Sequence, residues 1–176
     1  MHVVAADSGA LGAHLPRSLG RPRVLITKFD VLMHPIANRL HARHTRDRLP
    51  LLTSLELCVL AARAAGVAAL DGVHLDLDDD AGFEAACRQA ADLGFDGKTL
   101  IHPKTIAKAN EIFAPAASEI DWSRRVIAAH AEAVAQGRGL VVLDGRLIED
   151  LHVEDAQRVV GLAEAIETLA SGLPGA

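Results

Sequence analysis

The stretch Gly94-Phe95-Asp96-Gly97-Lys98-Thr99-Leu100-Ile101-His102-Pro103 constrains this chain more than any other. It follows one amphipathic helical pattern and opens another. Gly94 suits a helix C-terminus, where the backbone turns left-handed and glycine tolerates it. Thr99-Leu100-Ile101 is a short apolar run of strand type, which predicts a strand over 98–101. His102-Pro103 stops that strand, because proline has no N–H for a ladder and restricts the residue before it. Residues 104–113 then read as helix. Helix, strand, sharp turn and helix in succession point to a parallel α/β fold, in which ligands sit at the ends of strands.

The same alternation extends on both sides. Thr53 or Ser54 can cap a helix reaching to about 65, with Leu55, Val59, Ala62 and Gly66 marking one face and Gly66 ending it. Val73-His74-Leu75-Asp76-Leu77 reads as a strand. Asp78-Asp79-Asp80 precedes a helix over 81–93, where the positive end of the helix dipole stabilises acids. A run of carboxylates also offers Mg²⁺ ligands, but consecutive residues splay apart, which favours the structural role. After the helix at 104–113, a linker over 114–118 contains Pro115. Ser118 or Asp121 then caps a helix to about 136, with Trp122, Val126, Ala129, Ala133 and Val134 facing inward. Leu140-Val141-Val142-Leu143, the turn Asp144-Gly145 and Arg146-Leu147-Ile148 form a hairpin pattern. A last helix is expected over 153–170.

Residues 1–50 carry less pattern. Residues 23–27 suit a buried strand, and 31–43 suit a helix interrupted by Pro35. Residues 39–48 hold four Arg and two His, which make either a solvated face or a phosphate site.

Composition narrows the classes. The 176 residues suffice for one domain with a core. Half are hydrophobic and only 3% aromatic, with one Trp and no Tyr; Ala- and Leu-rich helices fit that balance and a β-sandwich does not. A net charge of −5 with scattered basic residues argues against a nucleic-acid surface. Cys58 and Cys87 fall on apolar helical positions and read as buried free thiols rather than as a disulfide or metal ligands. No run approaches the roughly 18 apolar residues of a membrane span, and the N-terminus lacks a signal-peptide layout, so a cytoplasmic protein without a membrane partner is expected.

From Gly94 to Pro103 the chain resembles the citrate lyase β-subunit and malyl-CoA lyase-like family of the HpcH/HpaI aldolase group. Ala61-Ala62-Arg63-Ala64-Ala65-Gly66 with Leu70-Asp71-Gly72-Val73 is similar to the run around that family's seventh barrel strand, and Gly94 to Pro103 to its eighth. Ala109-Asn110-Glu111-Ile112-Phe113-Ala114-Pro115 continues the likeness. Val141-Val142-Leu143-Asp144-Gly145-Arg146-Leu147-Ile148-Glu149 with His152-Val153 resembles its C-terminal lid. The resemblance covers about 51–169.

The resemblance implies an α/β fold: the last strands and helices of a TIM-type (β/α)8 barrel over 51–115, and a helical lid with a small hairpin over 116–176. Residues 1–50 stand as an unmatched segment, and the chain is short of the usual roughly 250-residue barrel. The implied activity is a carbon–carbon lyase acting on a hydroxyacyl-CoA or acyl-carrier thioester. It needs Mg²⁺, takes CoA as part of its substrate, and is assembled as a homo-oligomer, a trimer or hexamer in the family. Ile101 and His102 match the turn that contacts the thioester, with Lys98 flanking it. Glu149 matches a lid carboxylate, usually Asp, that serves a neighbouring subunit's site; Asp150 is the alternative. On their residues alone, His102 also suits a loop cap, and Glu149 or Asp150 a helix cap. The family's Glu and Asp metal ligands have no counterpart in residues 1–50. The competing expectation is a non-catalytic chain that binds acyl-CoA or a sister subunit.

Overall fold

The computed structural model describes residues 24–26, 41–43, 45–137 and 140–172. The chain divides between Phe113 and Ala114 into two compact units.

The first unit is built on three parallel strands, β1 (Val24–Ile26), β2 (Ala68–Asp71) and β3 (Gly97–Lys98), adjacent in that order. Val24 lies opposite Ala68, and Asp71 opposite Lys98. Parallel neighbours need long crossovers, and helices supply them. α1 (Leu52–Ala64) leads into β2, α2 (Asp80–Asp92) crosses from β2 to β3, and α3 (Ile106–Phe113) follows β3. Leu51, Leu55, Val59 and Ala62 pack with Ala69, Ala90 and Phe95. Leu55 is fully buried, a burial worth about 1.5–3 kcal/mol. A second cluster joins Phe83 and Cys87 of α2 to Leu100 and Ala109.

Several sequence expectations need correction. The strand expected at 73–77 lies instead at Ala68–Asp71, and 73–77 makes no ladder. A strand between two neighbours is buried on both faces and shows no alternation, so Ala69 and Leu70 carry the signal and the alternating run does not. The strand expected at 98–101 is only Gly97–Lys98; the Thr99 N–H still donates to the Asp71 carbonyl at 2.9 Å before the chain turns away. Thr53 and Ser54 lie inside α1 and cap nothing, because a 3-10 turn at Leu49–Leu51, holding Pro50, runs directly into the helix. Asp79, within the acidic triplet, is the cap of α2, its carboxylate accepting the Gly82 N–H at 3.0 Å. The helix expected over 31–43 falls almost entirely outside the described residues.

The second unit holds α4 (Ala117–Ala135), the antiparallel pair β4 (Val141–Leu143) and β5 (Arg146–Ile148), and α5 (Asp150–Gly172). Asp144 and Gly145 take φ 49° and 78°, the two left-handed turn residues that match the twist of a tight hairpin. Val126 and Ala133 pack with Val141, Ile148, Val153 and Ala156. The Arg125 and Arg146 guanidinium carbons each lie 5.6 Å from the Trp122 ring centre, in cation–π contact. Val134 was expected inside and is 62% exposed. α4 starts at Ala117 with no side-chain cap from Ser118 or Asp121, and α5 starts at Asp150 rather than 153.

Candidate functional site

The C-terminal ends of β2 and β3 bring charge together below the surface. Asp71 closes β2 and Lys98 closes β3, and both are buried. Lys98 Nζ donates to Asp71 Oδ2 at 2.8 Å. Arg48 Nη1 donates to the same carboxylate at 2.8 and 3.0 Å, while its Nε donates to Gln89 Oε1 of α2 at 2.6 Å. Arg48 is held at φ 54°, ψ 20°, just before the 3-10 turn, and its N–H donates to the Thr45 carbonyl at 3.0 Å. Three side-chain atoms are sealed from solvent without a hydrogen-bond partner among the described residues: Arg48 Nη2, His74 Nε2 and Thr99 Oγ1.

Arg48 thus departs from the solvated-face expectation for residues 39–48, while Arg46 of that run stays exposed and pairs with Asp79. Lys98, expected at the edge of a ligand site, points its ammonium at Asp71. Cys87 is a free thiol buried beside this cluster; burial pushes its pKa up to about 11, against the pull of Lys98, so it stays protonated and unreactive. Cys58 is free and half-buried.

Beyond β3 the backbone rises to the turn. Ile101 and His102 are both exposed. His102 is extended (φ −147°, ψ 138°) and caps the 3-10 turn Pro103–Thr105. Its Nδ1 accepts the Lys104 N–H at 3.1 Å, and its carbonyl accepts the Thr105 hydroxyl at 2.7 Å. With Nδ1 accepting, a neutral ring carries its proton on Nε2. The cap and a ligand role are therefore compatible, because Nδ1 holds the loop and Nε2–H is left as a donor.

Glu149 lies in the second unit, exposed, immediately before α5. Its carbonyl accepts the His152 and Val153 N–H groups at 2.9 and 3.3 Å, and its own N–H donates to His152 Nδ1 at 3.0 Å. That is one half of a capping box, with imidazole in the acceptor's place. The backbone of Glu149 does the capping, which leaves its carboxylate uncommitted to the cap. Asp150 is 94% exposed at its side chain and lies 3.4 Å from His130 Nε2.

The described residues do not suit Mg²⁺. Among them no three His, Cys, Asp or Glu side chains gather in one place. The Asp71 oxygens are taken by two cations, Asp79 is held by its cap and Arg46, and Asp80 pairs with Lys104 at 3.1 Å.

Asp71 and Arg48 were not singled out in the sequence. The available signal was an acid ending the buried run Ala68–Asp71 directly before Gly72. Nothing in the sequence pairs Arg48 with it.

A parallel sheet with charged side chains collected at its C-terminal edge is the layout of α/β enzymes that bind ligands there. Residues 36–103 match the HpcH/HpaI aldolase/citrate lyase family, and the chain carries a domain of that family. A protein named (3S)-malyl-CoA thioesterase from Cereibacter sphaeroides is 45% identical over 92% of this chain and 62% of its own length. The citrate lyase subunit beta of Leuconostoc mesenteroides subsp. cremoris is 34% identical over 93% of this chain and 54% of its own. The chain therefore spans somewhat more than half the length of these two relatives. A solved citrate lyase from Burkholderia xenovorans LB400 matches with TM-score 0.54 and 19% identity over 91% of this chain and 43% of that one, a likeness of fold. No helix among the described residues is long and apolar enough to cross a membrane.

Proposed function

We propose that this chain supplies the last βα units of a (β/α)8 barrel and the C-terminal lid of a carbon–carbon lyase for hydroxyacyl-CoA thioesters. The observation that carries this reading is the Ile101–His102 turn, which stands directly beyond charged strand ends in a domain of a family that includes lyases. In this reading the Nε2–H of His102 donates to the thioester carbonyl. Bond cleavage removes the hydroxyl proton, leaves a carbonyl product, and sends the bonding pair into an enolate whose oxygen His102 stabilises. Protonation of the enolate carbon then gives the shorter acyl thioester. Glu149 is the proposed acid–base group of an assembled homo-oligomer, with Asp150 the alternative. Mg²⁺ enters through the family resemblance alone, and its ligands would come from outside the described residues.

A second reading, thioester hydrolysis, draws on the name of the 45% identical relative. Calorimetry and product analysis on the isolated chain separate the possibilities. A CoA ester should bind, while Mg²⁺ binds weakly and malyl-CoA is not cleaved, because the described residues gather no metal site. Glyoxylate release by the chain alone, or micromolar Mg²⁺ affinity, would contradict this division of labour. Free CoA appearing without glyoxylate would favour hydrolysis. No CoA-ester binding would remove the thioester site.

A further inference from the structure

One residue grips the His102 carbonyl twice. Thr105 donates its hydroxyl to that oxygen at 2.7 Å and its N–H at 3.2 Å. The first is an ordinary O–H···O length, while the second stands at the long end for N–H···O. The side chain is therefore the tighter hold. Pro103 follows the carbonyl, and its ring fixes its own φ at roughly −65°. With that torsion set, the held carbonyl orients the peptide plane between His102 and Pro103, and with it ψ of His102, found at 138°. The ring depends on that plane. Its Nδ1 reaches the Lys104 N–H, two residues on, at 3.1 Å, which needs both torsions in place. The Lys104 bond is single, neutral and exposed, so water competes for both partners. Thr105 is sheltered: it is 8% exposed, whereas Ile101, His102, Pro103 and Lys104 all lie open. Its β-branch allows few χ1 rotamers, which keeps the hydroxyl aimed. Valine has nearly the same shape, so packing alone does not call for a hydroxyl here, and a buried hydroxyl is unfavourable unless bonded.

We propose that Thr105 is a positioning residue for His102. Its hydroxyl holds the His102 carbonyl, the carbonyl fixes the backbone, and the backbone keeps Nδ1 on the Lys104 N–H with Nε2–H presented as the donor. Thr105 touches no reacting atom and acts only through the imidazole. Its catalytic meaning rests on the reading of His102 as the donor to a thioester; the positioning itself is read without any ligand.

The test uses the whole chain and takes two readouts: hydrogen exchange of the Lys104 amide, which reports its bond to the ring, and calorimetric titration with acetyl-CoA. Thr105→Val keeps the shape and removes the hydroxyl. Lys104 exchange should quicken about threefold to tenfold, and acetyl-CoA should bind about threefold to tenfold more weakly. The amide of Ala90, buried in the core on α2, should exchange as before. Thr105→Ser returns the hydroxyl and should bring both readouts to within about twofold of the parent. If Thr105→Val does not fold, Thr105→Ala takes its place. Unchanged Lys104 exchange in the folded variant overturns the proposal. So does a rise of the same factor at Ala90, because the hydroxyl then serves stability at large. A parent chain that binds no acetyl-CoA ends the thioester reading of His102, while the Lys104 amide still decides whether Thr105 holds the ring.

Discussion

Lys98 places its ammonium 2.8 Å from Asp71, the residue that faces it across the β2–β3 ladder. Backbone register and ion pair coincide on one rung, so the pair ties the strand ends where the chain begins to turn. Because Arg48 adds a second cation, the members of this cluster are not equivalent. Asp71→Ala leaves two buried cations unopposed and should cost about 3–5 kcal/mol. Lys98→Met leaves a neutral Arg48–Asp71 pair and should change stability by about 1 kcal/mol or less. Urea unfolding of the two variants checks this, and equal losses would show that charge balance does not govern the cluster.

The turn beyond β3 separates binding from folding. His102→Ala removes the cap of the turn Pro103–Thr105 and, in the proposed site, the donor to the thioester. Binding of a CoA ester should weaken about tenfold with little movement of Tm. Unchanged affinity with a large fall in Tm would leave His102 as a loop cap alone.

Acid should attack α2 at its start. The Gly82 N–H, and after it the Arg46 side chain, hold the Asp79 carboxyl below the usual carboxylate range. A carboxylate depressed in the folded state contributes stability that is present above its ordinary value of 3.8 and is lost as pH falls through the lower folded value. Asp79→Asn should therefore flatten the fall in Tm below about pH 4 while keeping a side-chain acceptor at the cap. A parallel acid profile in parent and variant would assign the acid transition elsewhere.

Assembly is the fourth expectation. β1 and β3 are the outer strands of the described sheet, and exposed Leu49, Leu57 and Leu60 lie on and beside α1. A barrel leaves no bare strand edge, and three strands do not close one. Sedimentation at low micromolar concentration should show self-association. A single monodisperse monomer with a cooperative melt would favour a self-contained α/β domain over part of a barrel.

Local chemistry was legible wherever one residue fixes a backbone shape. Gly66 and Gly94 sit at φ 63° and 89° just beyond helix ends, and Asp144-Gly145 makes the hairpin turn, all as the residues themselves require. The exposed turn at Ile101 and His102 was readable for the same reason. Strand position was not. Ala68–Asp71 earns its place from neighbours on both sides, and Val73 to Leu77 imitated a half-buried strand through alternation alone. The charged cluster was hidden for a related reason: Arg48 and Asp71 lie 23 residues apart, and Asp71 and Lys98 lie 27 apart. Such distances are closed by the sheet, and no local pattern encodes them.

Arg48 keeps a long side chain at φ 54°, where glycine rests with less strain. Exchange for glycine would relax that backbone and leave Asp71 and Lys98 as a balanced couple. A laboratory evolution that rewards heat tolerance alone therefore has an easy route that deletes the guanidinium. Variants recovered that way would exchange the Arg48 hydrogen bonds to Asp71 and Gln89 for an unstrained backbone, so side-chain bonding and backbone ease pull in opposite directions at one position.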